Sequence, residues 1–263
     1  MNESTPTPPL IQPPPPIPPA ATPPLPQPPL PGDDPAERVA IPNIFAAIEA
    51  VLRQPRRLHF QMRQPGAGGL IVAMFAASVV CSLIYGVVVG TFSGGAQLWI
   101  APAKIALGLV ISAAICLPSL YIFGCLSGSQ ARLSEVCGLL AGMLLLSTVL
   151  LIGFAPVAWI FSESTESVAW MGALHLLFCL LATLFGLRFM KAGFAHTHAR
   201  SQAGINVWII IFLLVALQMT TALRPILGRS DSFFPKEKQF FLGHWIDCFK
   251  ATPENSQGSS ESK

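Results

Sequence analysis

Five stretches of the chain contain no Asp, Glu, Lys or Arg: residues 64–103, 105–131, 136–162, 167–187 and 201–223. Each holds an apolar core of about 20 residues, the length at which a helix rising 1.5 Å per residue crosses roughly 30 Å of hydrocarbon. A water-soluble helical protein spreads charge along the outer face of every helix. Here the charges gather in short clusters between apolar runs, so the surrounding medium is lipid. In lipid each segment has to satisfy its own backbone donors and acceptors, which an α-helix does. The expected fold class is therefore all-α, a polytopic transmembrane helical bundle. Its five spans are placed at about 69–90, 102–125, 134–161, 167–190 and 205–223.

Composition agrees, with 11% charged and 52% apolar residues. A net charge of +3 is too small to argue for nucleic acid as a partner. Four of the six cysteines (Cys81, Cys116, Cys137 and Cys179) fall inside spans, Cys125 at a span end and Cys248 in the C-terminal tail. With no CxxC or CxxH spacing they read as reduced packing residues, not disulfides or zinc ligands. The N-terminus has no apolar signal-peptide core, so the first span is expected to act as the membrane signal.

Residues 1–35 carry 16 of the 25 prolines. Proline removes backbone donors and fixes φ, so residues 1–36 are expected to form a disordered, proline-rich tail without a packed core. Two roles remain open for it: a solvated spacer, or a docking site for a protein partner with an aromatic groove. Deleting residues 1–36 is expected to leave stability unchanged. From Ile41 the texture changes. Ile44, Phe45, Ile48, Val51 and Leu52 make an apolar stripe at helical spacing, opened by Pro42 and followed by Arg53, Arg56, Arg57 and Arg63. Residues 41–64 therefore read as an amphipathic juxtamembrane helix. Its arginines (Arg53, Arg56, Arg57) would face anionic lipid headgroups, or the helix would pack on the cytoplasmic end of the bundle.

Cations set the threading. Arg38, Arg53, Arg56, Arg57 and Arg63 precede span one, Arg132 lies between spans two and three, and Arg188, Lys191 and Arg200 lie between four and five. The other side offers Lys104, Glu163 and Glu166. This asymmetry puts the N-terminus in the cytoplasm and, after five spans, the C-terminus outside, in the cell (inner or plasma) membrane. Against it stands the basic tail with Arg224, Arg229, Lys236, Lys238 and Lys250, which leaves a sixth or re-entrant segment open. Within 224–250, Phe241, Trp245 and Phe249 fall at i, i+4 and i+8, as in a short interfacial helix; residues 251–263 read as disordered.

Small residues recur every four positions: Ser78, Ser82, Gly86 and Gly90 in span one; Gly108, Ser112 and Cys116 in span two; Ser134, Gly138 and Gly142 in span three. Such stripes let helix backbones approach closely in lipid. Gly138 and Gly142 would serve either an internal seam or a homo-oligomer face. Pro118 and Pro156 are expected to kink spans two and three.

Chemistry-bearing residues are few. His175 is the one ionisable side chain deep in a span, and it is expected to bond a backbone carbonyl or a Ser hydroxyl. Lys104, at the start of span two, is expected to snorkel to the headgroups. His196 and His198 lack a third metal ligand nearby. Ser93 and Ser127 sit in glycine-flanked turns at opposite faces, neither level with His175. No HExxH, intramembrane aspartate pair or P-loop occurs, so no catalytic residue, cofactor or metal is expected. Gln218 and Thr220 are the polar candidates of span five. Leu223-Arg224-Pro225-Ile226-Leu227-Gly228 reads as a span terminus: a headgroup anchor, a helix stop and a turn glycine. Arg224 is within reach of Glu163 or Glu166 on the same side.

Leu52-Arg53-Gln54-Pro55-Arg56-Arg57 ahead of span one, with the five-span layout over residues 44–228, resembles bacterial relatives of the Ypt-interacting protein (Yip) family. The stretch Leu117 to Glu166 and the ending Leu223 to Gly228 are similar to a group of uncharacterised bacterial polytopic membrane proteins. The Asp-Leu-aromatic-Gly-Pro motif of the eukaryotic members is absent and the tail is longer, so a trafficking role is not implied. The resemblance implies a non-enzymatic membrane scaffold or adaptor that organises protein partners or lipids. The competing reading is a small-solute permease or transporter subunit, which would gather His175, Gln218 and Ser112 around a cavity.

Overall fold

A computed structural model of the chain describes residues 32–93, 95, 97–164, 168–195 and 203–222. Among these residues it is all-helical, with no strand. A 3-10 turn over Pro35–Arg38 precedes seven α-helices: α1 (Ile44–Arg53), α2 (Pro55–Met62), α3 (Gly68–Ser93), α4 (Gln97–Leu126), α5 (Leu133–Ser164), α6 (Val168–Ala195) and α7 (Ala203–Ala222). Four of them are long and apolar enough to cross a membrane, over Gly68–Thr91, Leu98–Leu126, Leu133–Ser164 and Trp170–Ala195; Ala203–Met219 is a shorter apolar helix. The charge-free runs thus match α3 to α7 in order and position.

Helices α3, α4 and α5 touch one another, α6 packs on α5, and α7 packs on α4. Burial places α5 at the centre, since 72% of its apolar window is covered by protein against 33% in each of the other three. On the outside, Val80, Ile84, Ile115, Ile122, Phe185 and Ile210 are exposed. That belt is stable only against hydrocarbon, and the chain is a membrane-embedded protein. Trp99, Trp159, Phe161 and Trp170 are also exposed, all at the end where α3 and α5 finish and α4 and α6 begin. Aromatic side chains of this kind concentrate at membrane–water interfaces.

The small-residue stripes lie inward. Ser78, Ser82 and Ser112 are buried, and the hydroxyls of Ser78 and Ser82 donate to carbonyls of their own helix, leaving the seam free of interhelical polar demand. A side chain at Gly86 would collide with the backbone of Pro102, so α3 and α4 cross there at glycine-limited distance. Gly138 faces Met62 of α2 and Ile71 of α3, whereas Gly142 faces Phe189 of α6, 2.6 Å from where a Cβ would sit. The two glycines serve different internal seams and are buried. They do not form a homo-oligomer face. Ser134 is exposed and belongs to neither. Helices α4 and α5 run on through Pro102, Pro118 and Pro156.

The juxtamembrane segment departs from the single helix expected over 41–64. Pro55 cannot donate to Val51 and forces Gln54 out of the helical region (φ −134°, ψ 56°), so α1 ends and α2 starts with proline in its first turn. Asn43, not Pro42, caps α1, its side chain accepting from the Ala46 N–H at 2.8 Å. The inward face of α1 is Ala47, Ala50 and Val51, packed on the ends of α3 and α5, while Phe45 and Leu52 of the expected stripe point outward.

Candidate functional site

Three polar constellations are built into this frame. The first lies about 10 Å along α6 from its start, at the end away from α1 and α2. There the Tyr85 hydroxyl of α3 is hydrogen-bonded to His175 Nδ1 at 2.8 Å, with the rings edge-on. Both residues are buried, among Val89, Ala158, Met171 and Phe178. The partner of His175 is thus a tyrosine of another span, not the carbonyl or serine expected. Its other nitrogen, Nε2, makes no hydrogen bond among the described residues.

Lys104 does not snorkel. It is 1% exposed, because it extends the inward stripe Ala101, Gly108, Ser112, Cys116 and Leu120 by one helical turn. Ser112 lies on that stripe, on α4. Gln218 is exposed on α7, which packs on α4, whereas α6 packs chiefly on α5. His175, Ser112 and Gln218 line neither of the two cavities described below.

The second constellation closes the α1–α2 end. His59 of α2 is buried, its ring 4.5 Å from that of Phe189, in space that Gly193 leaves open. Arg63 Nε approaches Glu135 Oε2 of α5 at 3.9 Å. His59, Met62, Arg63, Glu135, Leu139 and Gly193 enclose about 10 Å³, room for about one water molecule. Sequence reading had counted this stretch as the basic end of a helix. The signal available was the adjacency of Leu58, His59 and Met62 at one-turn spacing.

The third is a clasp that ties the end of the proline-rich region to α2. Arg57 donates from Nε to the Val39 carbonyl and from Nη2 to the Ala40 carbonyl, each at 2.9 Å. Gln61 donates to the carbonyls of Arg38 and Val39 at 3.2 Å. Arg56 pairs with Glu37 at 3.1 Å, and Glu37 in turn accepts the Gly32 N–H at 2.6 Å. Arg38 returns to the Gly32 carbonyl at 2.7 Å. Gly32 has φ +97° and rests on the Phe60 ring, a place closed to any side chain. The tail boundary expected at residue 36 therefore falls inside a docked segment that begins at Gly32. Two of the three arginines assigned to lipid headgroups are engaged here. Arg53 remains outward, beside Glu49 at 3.5 Å on the same exposed face.

Elsewhere, Ser127 is buried beneath Gly204 and donates to the Phe123 carbonyl at 2.8 Å, a capping role. Trp208 of α7 is fully buried and donates from Nε1 to the Cys116 carbonyl and to Ser119 Oγ of α4, each at 3.1 Å. No group of three or more His, Cys, Asp or Glu suited to a metal occurs among the described residues. Glu163 is exposed at the end of α5. Arg224, Pro225, Gly228, Glu166, His196, His198 and the segment 224–263 lie outside the described residues, as does residue 1–31 of the tail. Comparison with protein-family models, curated proteins and solved structures returns no match.

Proposed function

We propose that this chain is a non-enzymatic, five-span scaffold or adaptor of the cell membrane, with its N-terminus in the cytoplasm and the α1–α2 end as its working surface. The observation that carries this reading is the clasp. Four hydrogen bonds and an ion pair hold Glu37 to Ala40 against α2, and two more bonds tie Gly32 to Glu37 and Arg38, so the chain that follows the proline-rich region is fixed at this end of the bundle. A fixed exit point is of use to a tail that recruits a partner and of little use to a passive terminus. Phe45 and Leu52, exposed beside it, extend the same face. The permease reading draws no support from the two cavities, neither of which is lined by His175, Ser112 or Gln218.

The test is photo-crosslinking in cells. A photoreactive amino acid at Phe45 is expected to yield a discrete protein adduct that Arg57→Ala weakens, while the same probe at Trp99, at the other end, yields none. A protein-independent smear of lipid adducts at both positions would argue against an adaptor. Uptake of small solutes by proteoliposomes that is abolished by His175→Leu would establish the permease instead.

A further inference from the structure

An apolar groove of about 300 Å³ opens where α3, α4 and α5 part near the α1–α2 end. Its walls include Val72 and Phe75 of α3, Ala113, Ala114 and Leu117 of α4, and Cys137 of α5. Apart from the Cys137 thiol they offer no side-chain hydrogen-bonding group, so water gains nothing by entering. The groove has a structural cause. Pro118 carries no N–H for the Ala114 carbonyl, so α4 lacks one backbone hydrogen bond at the level of the groove. Small side chains at 113 and 114 then leave the gap unfilled. A void lined by hydrocarbon forfeits dispersion contacts along its whole wall. In a membrane the nearest filler is an acyl chain, which reaches the groove sideways from the bilayer.

The start of α5 supplies the second constraint. Cys137 lies five residues after Arg132, which immediately precedes α5 at this end. The Arg132 side chain is exposed and makes no ion pair or hydrogen bond among the described residues, in contrast to Arg56, Arg57 and Arg63. The neighbouring carboxylate, Glu135, faces Arg63 and is offset by it. Arg132 is thus an unengaged cation at the same end of the bundle as the groove, about one and a half turns before its Cys137 wall. A second copy of the chain is a poor occupant, because a helix with its side chains is about 10–12 Å across and a single turn exceeds the groove.

We infer that the groove is a lipid-binding site that holds one acyl chain of an anionic glycerophospholipid, with Arg132 at its phosphate-bearing headgroup. The inference rests on the membrane embedding and is independent of the adaptor reading.

Native mass spectrometry of the full-length protein, extracted in mild detergent and supplied with equal phosphatidylglycerol and phosphatidylcholine of matched chains, tests it. One phosphatidylglycerol is expected to stay bound when phosphatidylcholine is stripped. Arg132→Gln is expected to lower that preference about fivefold, the contribution of one basic residue near a headgroup. Ala114→Phe, which fills the slot from α4, is expected to abolish the retained lipid without lowering the unfolding temperature; Cys137→Phe fills it from α5 should the first variant fail to fold. Equal retention of the two lipids, or wild-type retention in a folded filled variant, would overturn the site. So would a dimer that Ala114→Phe dissociates, since the occupant would then be a second copy. Adducts from Phe45 are expected to persist in Ala114→Phe, which separates this test from that of the adaptor.

Discussion

Tyr85 and His175 stand 90 positions apart in the chain and 2.8 Å apart in space. Their bond is the only one found between side chains of α3 and α6 among the described residues, and it lies in a region where water is excluded. Removing one partner strands the other. Tyr85→Phe and His175→Leu are each expected to destabilise the bundle by about 1 kcal/mol, measured by thermal unfolding in detergent. The double variant is expected to cost less than the sum, because it leaves no buried group without its mate. Strict additivity would mean that the bond contributes nothing. Sequence pattern placed His175 in a span but was silent about Tyr85, since periodicity says which face of a helix is inward and not which helix it meets. Lys104 was more legible than its reading allowed. It stands one turn before Gly108 on a stripe already recognised as inward, and the general habit of lysine to reach for water outweighed that register.

At the level of elements, the glycines divide into those that set helix spacing and those that do not. A methyl group at Gly86 meets the Pro102 backbone, which has no means of yielding, whereas nothing lies within 4 Å of where a Cβ would sit at Gly153. Gly86→Ala is expected to lower stability by about 1–3 kcal/mol. Gly153→Ala is expected to be neutral or to gain about 0.5–1 kcal/mol from reduced chain entropy. Opposite signs in parallel unfolding curves would confirm that the α3–α4 crossing is glycine-limited; equal losses would point to a general cost of alanine in these helices. Boundaries of the spans were legible because lipid tolerates so few charges. The clasp was not, because Gly32 to Ala40 reads as the end of a proline-rich run, and only the fold brings Arg57 and Gln61 beneath it. Truncation to residue 31 is thus the deletion that respects the structure, and removal to residue 41 takes the clasp away.

For the molecule as a whole, the proposed five crossings, with the N-terminus in the cytoplasm, carry the expectation that the C-terminal tail faces outward. Cys248, in a chain whose other cysteines are replaced, is expected to react with a membrane-impermeant thiol reagent applied to intact cells with a permeable outer wall. Reaction only after the membrane is opened would put the tail in the cytoplasm, and α7 would then have to turn back or be joined by a sixth crossing. The arrangement of the helices also bears on how such a chain is made. The central trio α3, α4 and α5 is contiguous in sequence, while α6 attaches chiefly to α5 and α7 to α4. Synthesis from the N-terminus delivers the trio first, so the middle of the bundle closes before the last two helices leave the ribosome. Each latecomer then meets a wall that is already built.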